Sequence, residues 1–155
     1  MVTINLRHDF NVSLNRNSNI PAWVGLFEHC ATHYPDVLFV IIGRKNTYTE
    51  VIPRTPNILF SKDYNDTVCE DIALMYHSQF HMGATSGLVS CVFLSRTVPY
   101  ALFNFRMDGS HHPFHTTHPN VIFPWQNKKL QHVLWGPEDR AVLIKEFEYL
   151  YEQTS

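Results

Sequence analysis

The sequence predicts an α/β fold: one three-layer, Rossmann-like domain over residues 1–155, with helices on both faces of a mostly parallel sheet of five to six strands. Two observations support this prediction. Strand-like and helix-like segments alternate along the chain, which is typical of consecutive βαβ units. The segment 37–42 is apolar at every position and ends at Gly43, as expected for a parallel strand that is buried on both faces.

The strands are predicted from apolar or β-branched runs bounded by turn-forming residues. Residues 2–6 begin the chain with such a run, and residues 57–60 form a shorter one. The segment 79–82 precedes a glycine-rich turn, and Pro99 begins a further apolar run. The predicted strands are 2–6, 37–42, 57–60, 79–82, 99–103 and 121–123.

Four helices are predicted from apolar residues at helical spacing and from proline or capping residues at their starts. Pro21 opens the first helix and the segment 65–67 caps the second. Residues 88–94 form the third, and Gly136-Pro137 starts the last. The predicted inward faces comprise Trp23, Phe27, Cys30 and Tyr34 in the first helix, Val68, Ile72, Met75 and Tyr76 in the second, and Leu143, Phe147, Leu150 and Tyr151 in the last.

Composition and charge exclude several classes of function. The formal net charge is −2 and only 17% of the residues are charged, so no basic stripe indicates a nucleic-acid partner. We expect no membrane span and no secretion signal. Three cysteines in apolar stretches, Cys30, Cys69 and Cys91, predict reduced core residues of a cytoplasmic protein. The many aromatic residues suggest apolar surface that a second copy or a separate chain covers.

The turn 83–87, which reads Gly-Ala-Thr-Ser-Gly, carries the strongest functional signal. Glycines let a backbone approach a ligand closely, and a helix N-terminus offers free N–H groups and a partial positive charge. Gly83, Thr85, Ser86 and Gly87 are therefore predicted to hold a phosphate-bearing ligand. The alternative is an ordinary strand-to-helix turn in which Ser86 or Thr85 caps the helix.

Arginines follow two other predicted strands. Arg7 comes directly after the first strand, and Gly43 and Arg44 come directly after the second. Ligands of open parallel sheets bind at the carboxyl ends of the strands, and the guanidinium fork matches phosphate oxygens. We therefore expect these residues to lie at the same edge as the glycine-rich turn. The alternative for each arginine is an ordinary surface charge.

Several short motifs occur in a fixed order: a strand ending at Arg7, then Arg16-Asn17-Ser18, a strand ending at Gly43, Asp71 in a helix, the segment 80–87, Pro99, and a strand ending at Asn104. This order resembles the C-terminal, nucleotide-sugar-binding half of GT-B glycosyltransferases. The similarity is greatest to a bacterial surface-polysaccharide group and more distant to the fucosyltransferase superfamily. It covers about residues 2–105.

The chain departs from that family in three respects. Arg44 stands where related proteins often carry an acidic residue. The first strand lacks the histidine of the fucosyltransferase pattern. Only one of the two Rossmann-like halves of a GT-B enzyme is present, so we expect the chain to be a fragment, a subunit of a split enzyme or a degenerate binding module.

The resemblance implies a nucleotide-diphosphate sugar as the ligand and no cofactor, because GT-B enzymes typically need no metal. The residues that it implies for phosphate binding are Arg7, Thr85, Ser86 and Gly87. Arg16 and Asn17 would order the loop over the donor. Asp71 would be structural or lie near the catalytic base.

Glycosyl transfer places growing negative charge on the diphosphate leaving group. Arg7, with Arg16 or Arg44, and the amides after Gly83 would stabilise that charge. An inverting reaction also needs a base that activates the acceptor hydroxyl. Asp108, His81 and His111 are candidates, and the sequence does not single one of them out.

A histidine-rich segment follows the predicted strand 99–103. Its four histidines fall within eight positions: His111, His112, His115 and His118. With Asp108 they could coordinate zinc or another transition metal in a metal-dependent hydrolase. The spacing matches no zinc motif, however, and proline prevents a helical pairing of two histidines. The alternative is a polar loop without metal whose histidines pack against aromatic residues. If this loop lies at the same edge as the arginines, it could bind the donor phosphate or cover the site.

Three classes of function therefore remain open at this point. The first is the donor domain of a glycosyltransferase-like protein. The second is a non-catalytic Rossmann-type module that binds a nucleotide or a protein. The third is the metal-dependent hydrolase.

Overall fold

A computed structural model describes residues 1–8, 17–43, 52–64, 67–104, 123–134 and 138–155. It contains six strands: β1 (Val2–Asn5), β2 (Phe39–Ile42), β3 (Ile58–Phe60), β4 (Phe80–Ala84), β5 (Tyr100–Phe103) and β6 (Gln131–Val133). The helices are α1 (Ile20–His33), α2 (Val68–His77), α3 (Ser90–Phe93) and α4 (Arg140–Thr154), with a short 3-10 helix at Ser61–Asp63.

The six strands form one sheet in the order β3-β2-β1-β4-β5-β6, and every neighbouring pair is parallel. The first strand in the chain is thus central: Val2 pairs with Phe39 on one side and with Phe80 on the other. This strand order is that of dinucleotide-binding Rossmann domains. The predicted α/β fold class is confirmed.

Two apolar layers cover the two faces of the sheet. Helices α1 and α4 pack on one face, where Trp23 and Phe147 lie fully buried among strand residues of β1, β2 and β4. On the other face, Met75 of α2 and Val92 of α3 pack against β2 and β5. Burial of apolar surface in both layers drives the folding of a sheet whose strands are only three to five residues long.

The helix starts follow from local capping chemistry. Pro21 lies in the first turn of α1, where its missing N–H costs nothing. Thr67 begins α2 with a reciprocal pair of hydrogen bonds to Glu70. The start of α4 differs from the prediction at Gly136-Pro137, which lies outside the described residues. Asp139 caps this helix by accepting a hydrogen bond from the Ala141 N–H, so the helix begins at Arg140.

The predicted sixth strand at 121–123 is not found at Phe123, the one residue of that segment within the described ranges. The sixth strand is β6, whose Gln131 side chain donates to the carbonyls of Ser95 and Val98. Phe123 lies outside any strand and packs edge-on against Phe93, with ring centroids 4.9 Å apart. The apolar side chain of Phe123 is therefore explained by its packing against another aromatic ring, without a strand at this position. Residues 121 and 122 lie outside the described part of the chain.

Three further expectations need correction. In α2 the fully buried residues are Asp71 and Met75, whereas Val68 and Tyr76 are exposed, because the buried carboxylate faces inward. Cys30 is a core residue as predicted, but Cys69 and Cys91 are exposed. The third helix spans only four residues, because the Ser95 hydroxyl accepts hydrogen bonds from the N–H groups of residues 97 and 98 and turns the chain towards β5.

Candidate functional site

The candidate site lies at the carboxyl ends of β1 and β4, the two central strands. β1 leads towards α1 on one face of the sheet, and β4 leads towards α3 on the other. The helices that follow these two strands thus lie on opposite faces of the sheet, and in open α/β sheets the region between two such connections forms a crevice. Ligands of open α/β sheets bind at such a reversal of strand order.

The strand ends meet closely because Gly83 has no side chain. A Cβ at Gly83 would lie 2.2 Å from the backbone oxygen of Asn5, so the backbone of β1 would have to shift to admit a side chain. Gly83 and Ala84 belong to β4 itself, so the turn proper comprises residues 85–87. Gly87 is exposed, and a Cβ there would meet nothing within 4 Å. The turn therefore opens to solvent.

The hydroxyl groups predicted to hold phosphate bind other parts of the protein. Ser86 Oγ donates to Asn5 Oδ1 at 3.0 Å and accepts from the Val89 N–H at 3.4 Å. Thr85 Oγ1 donates to the Asn104 carbonyl at 3.5 Å. Ser86 thus joins β1 to the turn and accepts from Val89, the residue before α3, but α3 itself has no side-chain cap.

Arg7 lies two residues after the end of β1, at the carboxyl edge of the sheet. Its main chain is fixed by Ser18, because the Arg7 N–H donates to Ser18 Oγ and the Ser18 N–H donates to the Arg7 carbonyl. Its side-chain Nε is buried, and it has no hydrogen-bond partner in the ranges that the structure describes. A buried, unpaired donor on a cation is costly unless a ligand accepts from it.

Asp71 organises the neighbouring strand ends. Its carboxylate is buried and accepts hydrogen bonds from the Gly43 N–H at 3.3 Å and from Ser61 Oγ at 2.9 Å. Lys62 Nζ lies 2.9 Å from its Oδ2. Gly43 adopts φ 116°, a conformation that favours glycine. Asp71 therefore acts as a structural residue that holds the ends of β2 and β3.

Glu138 is a buried carboxylate that the sequence reasoning missed. It precedes α4 but reaches the start of α1, where its Oε2 accepts from the Asn19 N–H at 2.6 Å and from Trp23 Nε1 at 2.8 Å. Its Oε1 accepts from Ser18 Oγ at 3.2 Å. Burial raises the pKa of Glu138, and these three hydrogen bonds oppose the rise. No local pattern identifies such a residue, since its partners lie more than a hundred positions away.

Asn5 and Asn104 are two further polar residues buried at this edge. Asn5 could have been found from the alternation of β1, which places Thr3 and Asn5 together on one face of a central strand. Asn104, at the end of β5, adopts φ 50°. Non-glycine residues rarely adopt that conformation, and such residues cluster at functional sites.

His81, a candidate base, lies away from this edge. It is fully buried within β4, level with Thr3 of β1. Ser78 Oγ donates to the Met75 carbonyl and Thr3 Oγ1 donates to Ser78 Oγ, so the His81 Nδ1–H donates to Thr3 Oγ1 at 3.0 Å. His81 Nε2 is buried without a hydrogen-bond partner among the described residues, and burial lowers its pKa to about 3.

Several predicted site residues lie outside the described ranges: Arg16, Arg44, Asp108, His111, His112, His115 and His118. Asn17, which is described, directly precedes Ser18 in the loop that enters α1. Within the described ranges, no group of three or more His, Cys, Asp or Glu residues could hold a metal ion. Nor does any helix in those ranges combine the length and apolarity that crossing a membrane requires.

Comparisons of this chain with protein-family models, with curated proteins and with solved structures find no match. The resemblance to GT-B glycosyltransferases therefore rests on the sequence motifs alone. The fold does not define the function, because one fold supports many functions, whereas the residues at the carboxyl ends of the strands can.

Proposed function

We propose that this domain binds a nucleotide sugar through its diphosphate, as the donor domain of a glycosyltransferase-like protein. The observation that carries the proposal is the guanidinium of Arg7, whose buried Nε lacks a protein acceptor among the described residues, at the reversal of strand order. A diphosphate would supply acceptor oxygens and opposite charge at that position.

The open turn at residues 85–87 supports the same assignment. It lies at the end of the strand next to β1, and Ser86 fixes it against Asn5. Its exposed Gly87 leaves room for a ligand to approach the backbone. Helix α3 is only four residues long, so its dipole contributes little. The proposal therefore assigns the main electrostatic role to Arg7.

The proposal concerns donor binding, and transfer requires more. Arg7 could stabilise charge on a departing nucleoside diphosphate without a metal ion. The acceptor would be bound by a separate chain, by a second copy, or by a further domain. Because Cys30, Cys69 and Cys91 are free thiols, which a reducing compartment maintains, we propose a cytoplasmic location for the protein.

Isothermal titration calorimetry with ADP, GDP, UDP and their sugar conjugates tests the proposal. We expect binding at millimolar or lower concentration by at least one of them. Arg7→Gln should weaken that binding by at least about tenfold, because a hydrogen bond to a charged group contributes about 1.5–3 kcal/mol.

The matched control is Arg96→Gln. Arg96 is exposed and precedes β5, so it lies at the amino ends of the strands, on the opposite edge of the sheet. Its replacement makes the same change in net charge and should leave affinity unchanged. The proposal fails if no nucleotide binds at millimolar concentration, or if both variants weaken binding equally.

A further inference from the structure

The N-terminus of α1 already holds an anion that belongs to the protein. Three donors converge on the Glu138 carboxylate: the Asn19 N–H, the Trp23 indole N–H and the Ser18 hydroxyl. The Asn19 side-chain amide also donates to the Glu138 main-chain carbonyl at 2.9 Å. Glu138 is only 3% exposed and Trp23 is fully buried, so the arrangement is enclosed.

Glu138 supplies the negative charge that the residues of α1 do not provide at this end of the helix. Asn19 provides no side-chain cap for α1, and the first turn of the helix contains no acidic residue. A helix of fourteen residues carries a partial positive charge at its N-terminus. The negative charge of Glu138 neutralises that end, and its Oε2 accepts from the main-chain N–H of Asn19, the residue directly before the helix.

In Rossmann domains that bind dinucleotides, the pyrophosphate lies at the N-terminus of the helix that follows the first strand. Here that helix is α1. A ligand phosphate at the same place would lie close to the Glu138 carboxylate. The Asn19 N–H, the Trp23 indole N–H and the Ser18 hydroxyl already donate to that carboxylate and would not be available to the phosphate. Like charges so placed repel strongly in a partly buried environment.

We propose that Glu138 is a specificity-determining residue that closes the N-terminus of α1 to ligand phosphates and confines them to Arg7 and the 85–87 turn. The confinement of phosphates to Arg7 and the 85–87 turn rests on the proposed function. It implies that the protein binds nucleoside diphosphates and their sugars in preference to dinucleotides such as NAD, because the pyrophosphate of a dinucleotide requires the N-terminus of α1.

Ser18 links the N-terminus of α1, which Glu138 closes, to Arg7, where the ligand phosphates would bind. Its Oγ accepts from the Arg7 N–H and donates to Glu138 Oε1. The same carboxylate therefore fixes the point at which Arg7 leaves β1. Glu138 excludes phosphate from one side of the crevice and, through Ser18, holds the arginine that would bind it on the other side.

NMR spectroscopy of the full chain can test this inference residue by residue. The probes are inorganic phosphate, acetate, NAD and the nucleotide sugars, and the reporters are the Asn19 amide and the Trp23 indole N–H. In the wild-type protein, nucleotide sugars should shift the amides of Ser86 and Gly87 and leave both reporters unchanged. NAD should bind at least tenfold more weakly than the tightest nucleotide sugar.

Glu138→Ala removes the internal anion and should open the helix end. Acetate and phosphate should then shift both reporters, with at least tenfold higher affinity than in the wild-type protein. Asp139→Ala is the matched control, because Asp139 is the neighbouring exposed acid that caps α4. It should respond to neither anion at these reporters. If Glu138→Ala does not fold in dilute buffer, acetate should restore its folding.

The inference is overturned if nucleotide sugars shift the Trp23 indole in the wild-type protein, since the ligand would then displace Glu138. It is also overturned if acetate and phosphate neither bind at α1 nor rescue folding in Glu138→Ala. If the variant binds phosphate at α1 but the wild-type protein binds no nucleotide, the proposed function fails while closure of the helix end is supported.

Discussion

Burial of His81 should make the stability of this protein fall in mild acid. The ring is fully buried, donates from Nδ1 to Thr3, and has no partner for Nε2 among the described residues. Protonation would place an unpaired charge in the core. Burial accordingly lowers the pKa of His81 from 6.5 to about 3.

The sign of the effect follows from that direction. The unfolded chain takes up a proton on this histidine as the pH falls through 6.5, while the folded protein does not until about pH 3. The contribution of His81 to stability is therefore complete above pH 6.5 and is lost progressively below it. By about pH 5 the loss amounts to roughly 2 kcal/mol, since each pH unit below the unfolded pKa costs about 1.4 kcal/mol.

Urea unfolding followed by circular dichroism, at constant ionic strength between about pH 8 and about pH 5, measures this loss. His81→Asn should reduce the pH-dependent loss by about 2 kcal/mol, because its amide can still donate to Thr3 but does not titrate. The smaller side chain should also lower stability at every pH by creating a cavity. Taking the difference between the free energies of unfolding at the two pH values removes this constant contribution.

The control is His77→Asn, in which an exposed histidine of α2 is replaced. This variant should retain the pH dependence of the wild-type protein. The reasoning is refuted if His81→Asn loses as much stability between the two pH values as the wild-type protein does.

Two further substitutions with paired controls test the framework of the site by urea unfolding. Gly83→Ala should cost at least about 3 kcal/mol, because the added Cβ would meet the backbone oxygen of β1 at 2.2 Å, whereas Gly87→Ala should change stability by less than about 0.5 kcal/mol. Asp71→Ala should cost about 3–5 kcal/mol, because it leaves a largely buried lysine without its carboxylate. Asp63→Ala breaks a more exposed ion pair and should cost less than about 1 kcal/mol. Equal losses within either pair would contradict the corresponding contact.

The parts of the fold that were predictable are those with strong local patterns. The segment 37–42 contains β2 because a strand buried on both faces needs apolar residues at every position. Strand β6 was missed because it is a three-residue strand at the edge of the sheet, stabilised by pairing with β5 and by the hydrogen bonds of Gln131. Neither the pairing with β5 nor the hydrogen bonds of Gln131 produce a periodic apolar pattern in the sequence.

The candidate site likewise contains some residues that the sequence predicts and others that it does not. Arg7 and Gly83 follow from the rule that ligands bind at the carboxyl ends of parallel strands, which needs only the order of elements. Glu138 does not follow, since it meets Asn19 across 119 positions of sequence. The exposure of Val68 and Tyr76 in α2 was also unpredictable, because the helix turns a buried carboxylate inward.

The central position of β1 has a consequence for synthesis on the ribosome. β1 precedes both of its partners, and the second of these, β4, ends at Ala84. Until that residue emerges, at least one side of this short strand remains without its native neighbour. Such unpaired strands are sites of misassociation in nascent chains. The chain thus depends on late-translated segments to protect its earliest strand, and truncation before β4 should yield an aggregating product.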